Sequence, residues 1–280
     1  MKKKLISLVV AATLAGGATI SHSASFDTFS ADGVLQNFSG FDWHSNGAGW
    51  VQGFDLTGAN SFGDSDVFTL TYQAFAGTIG TTSPVNNLYV ASPGSESGTY
   101  EATIFSTITQ TATCQNDGCS SINITVNSGT WNVFHDGSPN ADQAAGTGFL
   151  DGVSILSGTW DGGFSSFAAT GPIGPGSFGS GGGILFGTVT STNNTYINPN
   201  LLGTSLQASL IYPGQSSPTY TRPAAFNGIA TGADTGSSFV IQTDTSQDFT
   251  EAQVPEPSIM ALVGIGLLGL GATARRRKAA

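Results

Sequence analysis

The sequence predicts an all-β protein whose central body is a single β-sandwich or a jelly-roll-like domain. Three observations support this prediction. The body is rich in Gly, Ser, Thr, Asn and Phe, and poor in the straight-chain helix formers Lys, Glu, Arg and Met. About eight short runs of the body resemble strands, the clearest of them with the two-residue period of a half-buried strand. Clusters of Gly, Asn, Asp and Pro separate these runs and predict turns. Such a series is typical of sandwiches and jelly rolls.

The first predicted element is a β-hairpin around Asn46-Gly47, a dipeptide that favours a tight turn between two aromatic runs. Trp43 and Trp50 flank this turn, and we expect both side chains to pack in the core or across the strands. The alternative is a lectin-like module whose tryptophans, Trp43, Trp50, Trp131 and Trp160, are exposed and stack on sugar rings.

The alternating pattern then places strands along the rest of the body. They are predicted at residues 67–74, 100–112, 121–134, 153–156, 184–190, 205–211 and 237–244. In the run 100–112, one set of alternate positions is mostly threonine. The segments 78–98 and 171–183 are rich in Gly, Pro, Ser or Asn and are predicted to be loops.

The chain contains two cysteines, Cys114 and Cys119, at the tip of the hairpin predicted from the strands 100–112 and 121–134. Asp117-Gly118 supplies the turn. Because the chain is predicted to be exported into an oxidising compartment, we expect a disulfide that clamps the hairpin. A tetrahedral metal site needs further Cys or His ligands nearby. A redox site usually has two residues between its cysteines rather than four.

Acidic loops raise the question of calcium, which prefers oxygen ligands. The candidate ligands are Asp136, Asn140, Asp142 and Asp151, with Asp64 and Asp66 as a second set. Neither set has the spacing of an EF-hand loop or of a calcium-binding nonapeptide repeat. Asp and Asn before Gly are also the residues that turns require. We therefore predict turn positions and no metal site, and calcium binding is the alternative.

Candidates for catalysis are sparse. The body contains two histidines, His44 and His135, and neither lies in a nucleophile-elbow or metal-hydrolase motif. Glu101, which opens a predicted strand, is the best single candidate for an acid. Glycoside hydrolysis needs two carboxylates about 5 to 10 Å apart. We predict a protein without enzymatic activity and without a cofactor, and a secreted hydrolase acting on polysaccharide is the alternative.

The first 24 residues are predicted to be a secretory signal peptide. Lys2, Lys3 and Lys4 form a basic n-region, residues 5–18 form an apolar h-region, and small residues follow at the cleavage site. The Sec translocon and signal peptidase are the expected partners of this segment. The mature body then extends over residues 25–253.

The last segment, 254–280, has three parts in a fixed order. It begins with the motif Val254, Pro255, Glu256 and Pro257, whose prolines favour an extended, accessible stalk. An uncharged apolar run over 258–274 predicts one transmembrane helix of roughly 25 Å, short against about 30 Å of hydrocarbon. The basic end, Arg275, Arg276, Arg277 and Lys278, is expected to stay in the cytoplasm as a stop-transfer signal.

This arrangement resembles the PEP-CTERM sorting signal of Gram-negative bacteria. The resemblance implies recognition by an exosortase, transient anchoring in the inner membrane, and transfer of the body to the cell surface or the extracellular matrix. It also implies a host that makes exopolysaccharide. A membrane anchor that is never processed is the alternative.

Charge excludes one class of partner. The body from 25 to 253 contains one Arg, no Lys and seventeen Asp and Glu, which gives a net charge of −16. Without cations to neutralise phosphates, the body is not expected to bind nucleic acid.

A second resemblance concerns the body itself. Several segments are similar to the flocculation-associated PEP-CTERM proteins, namely Phe41-Asp42-Trp43, Trp50-Val51, the cysteine-clamped hairpin, the stretch 146–152 and Gln242-Thr243-Asp244 before Phe249. The resemblance implies a secreted, non-enzymatic protein that promotes flocculation and biofilm formation with extracellular polysaccharide. It supplies no catalytic residues.

Overall fold

The computed structural model describes residues 24–27, 35–38, 40–56, 60–79, 100–137, 139–171, 173, 179–198, 200–212 and 220–250. The strands are β1 (Ala24–Asp27), β2 (Leu35–Phe38), β3 (Gly40–Trp43), β4 (Ala48–Gln52), β5 (Ser65–Ile79), β6 (Glu101–Cys114), β7 (Ser121–Asp136), β8 (Val153–Ala169), β9 (Gly179–Thr192), β10 (Ile197–Asn198), β11 (Ser205–Tyr212), β12 (Ala225–Phe226), β13 (Ile229–Ala230), β14 (Ser238–Gln242) and β15 (Asp244–Thr250). These described ranges contain no helix, and hence none long and apolar enough to cross a membrane.

Antiparallel strands close into an eight-stranded barrel. Each of β5 to β8 pairs with the next strand in sequence, β9 pairs with β11, β11 with β15, β15 with β3, and β3 with β5. The predicted all-β class is confirmed. The arrangement differs from the predicted sandwich or jelly roll, because neighbours in sequence pair all the way round and the last strand meets the first. Outside the barrel, β1 pairs with β2 and β10.

The predicted hairpin at Asn46-Gly47 is wrong. β3 and β4 both pair with β5 and run along it in the same direction, so the turn between them is an interruption of one barrel strand. The strand beside them is divided in the same way, since β15 pairs with β3 and β14 pairs with β4. As a result, Trp43 lies in the main core of the barrel, whereas Trp50 belongs to a separate cluster.

Two other predictions of strand length need correction. The predicted strand 153–156 extends to Ala169 as β8, and the predicted loop 171–183 ends with the first residues of β9. Both extensions are rich in Gly and Ser, which have low strand propensity by themselves. They are held extended by pairing, since β9 forms ladders with both β8 and β11.

Tryptophan and glycine occupy facing positions inside the barrel. Trp131 lies opposite Gly158, and Trp160 lies opposite Gly129 on one side and Gly187 on the other. A Cβ atom added at Gly158 would be 2.3 Å from Cζ2 of Trp131, and one added at Gly129 would be 2.9 Å from Cδ1 of Trp160. The two indoles therefore fill space that the missing glycine side chains leave free, which is how cross-strand aromatic residues support glycine in sheets.

A second, smaller core lies under the segment 220–235. Trp50 packs against Phe226 with 5.8 Å between ring centroids, and the Trp50 Nε1–H donates to Ser238 Oγ at 2.9 Å. Arg222 holds this segment together by donating to Thr231 Oγ1 at 3.0 Å and by forming an ion pair with Asp234 at 2.5 Å. The segment 220–235 thus covers the outer side of β4.

The predicted disulfide is confirmed. Cys114 and Cys119 are bonded and fully buried at the tip of the β6–β7 hairpin. A neighbouring loop pairs with this tip, because Cys114 N–H donates to Asp64 O at 2.8 Å and Gly63 N–H donates to Cys114 O at 2.9 Å. The bridge therefore stabilises two segments at one end of the barrel.

Candidate functional site

The acid candidate Glu101 anchors a loop at the opposite end of the barrel. Its side chain is 2% exposed. Its carboxylate accepts hydrogen bonds from the backbone N–H of Asn140 at 3.1 Å and of Ala141 at 3.1 and 3.2 Å. The loop is held further by Thr103, whose hydroxyl donates to Phe149 O at 2.9 Å. We call this arrangement, Glu101 with the N–H groups of 140 and 141, the Glu101 clasp.

The clasp changes the acidity of Glu101. The pKa of this carboxyl is raised to about 7, mainly by burial and to a smaller extent by the carboxylates of Asp136 and Asp151, while the two backbone donors oppose the shift. A carboxyl with this pKa could exchange a proton near neutrality. Both of its oxygens, however, accept backbone hydrogen bonds, which is a structural use of the group.

His135 is packed between two aromatic rings. Its imidazole stacks on Tyr100 at 4.8 Å between centroids and contacts Tyr196 at 4.9 Å. Burial lowers the pKa of His135, so the ring is kept neutral. Its Nε2 atom has no hydrogen-bond partner among the described residues, which means that no serine hydroxyl is paired with it there. His44, the other candidate, accepts a hydrogen bond from Asn46 N–H at its Nδ1 atom within the turn.

The calcium candidates separate into turn residues and neighbours of the clasp. Asp142 accepts from Ala144 N–H and Asp64 from Ser61 N–H, both at 2.8 Å, as turn residues do. The predicted turn position of Asp66 is wrong, because this residue lies in β5, where its carboxylate accepts from the distant Asp55 N–H at 2.7 Å. Asn140 donates to Asp151 Oδ2 at 3.0 Å beside the clasp. In the part of the chain that the structure describes, no group of three or more His, Cys, Asp or Glu side chains is arranged to hold a metal ion.

The tryptophans are buried. The exposed fractions of their surfaces are 1% for Trp43, 8% for Trp50, 0% for Trp131 and 3% for Trp160. The prediction that Trp43 and Trp50 pack internally is confirmed. The alternative in which these four side chains stack on sugar rings is wrong, because the indoles fill the barrel and the small core beside it.

A cavity of about 60 Å³ lies inside the barrel at the disulfide end. Side chains of several barrel strands line it, including Val51, Phe68, Ile124 and Phe239. The lining is apolar apart from the Tyr212 phenol, and it contains no carboxylate. This cavity therefore does not supply the pair of acids that glycoside hydrolysis requires.

A comparison with known families identifies the C-terminal segment of the chain. Residues 253–278 match the model of the PEP-CTERM protein-sorting motif. The chain carries a PEP-CTERM sorting signal. No curated protein and no solved structure is detectably similar to the chain.

The PEP-CTERM signal indicates an exported protein that an exosortase processes, located at the cell surface or outside the cell. The predicted sorting motif, Val254 to Pro257, and the basic end, Arg275 to Lys278, fall within the matched segment. Both lie outside the described residues, as do residues 1–23 of the predicted signal peptide and the predicted transmembrane helix.

The barrel has an outer face of hydroxyl and amide groups. We call it the threonine face; its members are Thr69, Thr107, Thr109, Thr111, Thr113, Asn123, Thr125 and Asn127. They are partly or fully exposed on β5, β6 and β7, and none carries a charge. Thr109 lies directly opposite Thr69, and Thr111 opposite Thr125. The threonine alternation of 100–112 was visible in the sequence, but its outward orientation was not.

Proposed function

We propose that this protein is a non-enzymatic component of the extracellular matrix that promotes flocculation and biofilm formation by binding exopolysaccharide. The observation that carries the proposal is the PEP-CTERM signal, which indicates export and exosortase processing. A sorting signal of this kind, carried by a rigid barrel that a disulfide clamps, suits the chain to a lasting role outside the cell.

The contrast between buried ionisable side chains and exposed hydroxyl and amide groups supports a binding role. The buried acid Glu101 and the buried imidazole of His135 are engaged in holding a loop and in packing. The threonine face, in contrast, offers many hydroxyl and amide groups to solvent on a stiff sheet. Groups of this kind donate and accept hydrogen bonds, as sugar hydroxyls do.

The mechanism we propose has two parts. Uncharged polar groups contact the polysaccharide directly, and divalent cations bridge the acidic surfaces of different protein molecules, so that several copies contact one polymer together. The net charge of −16 on the body favours cation binding in general. If a chelator of Ca²⁺ and Mg²⁺ leaves the binding of polysaccharide unchanged, the bridging part is wrong.

An in-frame deletion strain tests the function, with exopolysaccharide yield measured beside aggregation. We expect the cells to disperse while polysaccharide is still made and exported. Complementation with the full chain should restore aggregation, and a chain that ends at residue 253 should not. Unchanged aggregation of the deletion strain refutes the proposal. Release of reducing ends from the polysaccharide by the purified exported protein would instead support the alternative function, a secreted hydrolase that acts on polysaccharide.

A further inference from the structure

A small apolar patch lies on the outer side of β8, β9 and β11. Phe164 is 59% exposed, Phe186 is 43% exposed and Ile211 is 49% exposed, while Ile184 is partly buried among them. Phe164 lies directly opposite Ile184, and Phe186 follows two residues later on the same face of β9. We call these four residues the phenylalanine patch. Contiguous exposed apolar side chains of this kind mark contact surfaces more often than scattered ones do.

The protein surface around the phenylalanine patch is flat. Gly162 lies opposite Phe186, and Gly182 lies opposite Ile211. A Cβ atom added at Gly162 would meet nothing within 4 Å, so the space beside the Phe186 ring is open. An extended, rigid molecule can therefore lie across these strands without meeting a large side chain.

Hydrogen-bonding groups without charge surround the two rings. Gln207 lies opposite Phe186 on β11, Ser209 lies opposite Ile184, and Thr125 lies opposite Phe164 on β7. The last of these belongs to the threonine face, so the phenylalanine patch and the threonine face are continuous. Sugar rings present the same combination of groups, with apolar C–H faces and hydroxyls at the edge.

Carboxylates border the patch. Asp161 accepts hydrogen bonds from Thr159 at 2.8 Å and Thr188 at 2.6 Å on β8 and β9. On the other side, Asp244 and Asp248 of β15 pair with β11. A polyanion is therefore repelled at the edges of the patch, whereas an uncharged polymer is not.

A second copy of the chain fits less well than a sugar polymer. A stable protein interface needs about 800 Å² and roughly 20–30 residues from each partner, and the phenylalanine patch contains four apolar side chains. Two bodies with a net charge of −16 each also repel one another. We propose that the phenylalanine patch binds an uncharged polysaccharide, with Phe164 and Phe186 stacked on sugar-ring faces. This inference rests on the proposed function and specifies its partner.

The test uses the exported protein as the cells release it and the double variant Phe164→Ala/Phe186→Ala. A matched control is Phe62→Ala/Ile229→Ala, which removes two side chains that are 69% and 61% exposed outside the patch. The probes are the exopolysaccharide of the host, the uncharged polymers dextran and hydroxyethyl cellulose, and the anionic polymer alginate. Binding is measured by affinity electrophoresis, and folding by the urea midpoint of unfolding.

We expect wild type to bind the host polymer and at least one uncharged probe, and to show no binding to alginate. The patch variant should lose at least tenfold in affinity with an unchanged unfolding midpoint, and the control variant should bind like wild type. Equal binding by the patch variant overturns the inference while the deletion strain still tests the matrix function by itself. Binding of alginate alone also overturns it, as does a wild-type dimer that the patch variant abolishes.

Discussion

Replacement of Gly158 by alanine should destabilise the barrel strongly. An added Cβ at this position would be 2.3 Å from the backbone oxygen of Thr188 and 2.3 Å from Cζ2 of Trp131. Carbon atoms in contact are normally about 3.5–4.0 Å apart. One neighbour is the backbone of a paired strand and the other is a fully buried indole, so neither can move aside without disturbing the core.

The expected magnitude follows from these contacts. Overpacking a well-filled core usually costs about 1–3 kcal/mol, and sometimes more when backbone must shift. Replacing glycine also restricts the unfolded chain, which stabilises by about 0.4–1 kcal/mol. Because the overlap at Gly158 exceeds 1 Å with two atoms, we expect a net loss of about 3 kcal/mol in the free energy of unfolding.

The assay is urea unfolding followed by tryptophan fluorescence, which also reports displacement of Trp131. The control is Gly162→Ala in the same strand, where an added Cβ meets nothing within 4 Å. This control should change the free energy of unfolding by no more than about 1 kcal/mol, in the stabilising direction. If Gly158→Ala unfolds within about 0.5 kcal/mol of wild type, then the Trp131 indole does not occupy the space above Gly158.

Three further predictions concern the disulfide, the Glu101 clasp and the covering segment. Replacing Cys114 and Cys119 together by serine should cost about 2 kcal/mol, since the bridge closes a very short loop. Glu101 binds its proton more tightly in the folded chain, with a pKa raised from 4.5 to about 7. This contribution to stability is complete below about pH 4.5 and is lost as pH rises through 7, so wild type should lose up to about 3 kcal/mol relative to Glu101→Gln. Replacing Arg222 by lysine, which lacks the planar fork of donors, should increase iodide quenching of Trp50 and change global stability by less than about 1 kcal/mol.

Each of these has its own control. Reduced wild type should match the serine double variant in unfolding midpoint, and a midpoint equal to that of the oxidised protein contradicts the disulfide prediction. For the clasp, parallel stability curves of wild type and Glu101→Gln between pH 4.5 and 8 contradict the raised pKa. Asp234→Asn removes the charge of the partner of Arg222 and should increase quenching in the same direction. Quenching like wild type in both variants contradicts the proposed cover over Trp50.

Local patterns were sufficient for part of the structure. The disulfide was predictable because its two cysteines are close in sequence and flank a turn dipeptide, so their approach needs no distant contact. The long strand β6 was predictable from its regular alternation. The turn roles of Asp142 and Asp64 followed from the same local chemistry, because each carboxylate accepts from an N–H two or three residues away.

The Glu101 clasp shows where local patterns fail. Glu101 was a candidate because it is one of few glutamates and opens a strand. Its partners, the N–H groups of Asn140 and Ala141, are about forty residues away, and nothing in the sequence connects them. The burial of Trp50 was predicted, but the partner that buries it was not, because the cover is formed by residues 220–235, which are distant in sequence.

By itself, the sequence determined that the chain is all-β, strongly acidic in its body, and marked for sorting by a PEP-CTERM signal, because composition and contiguous motifs carry that information. Only the tertiary structure decided that the strands close into a barrel, and which of two alternating faces points inward. The physical reason is the two-residue period of a strand, since a shift of one position exchanges the faces. Where Gly and Ser alternate with Phe, as around Phe164 and Phe186, pairing with distant strands determines which side chains meet the solvent.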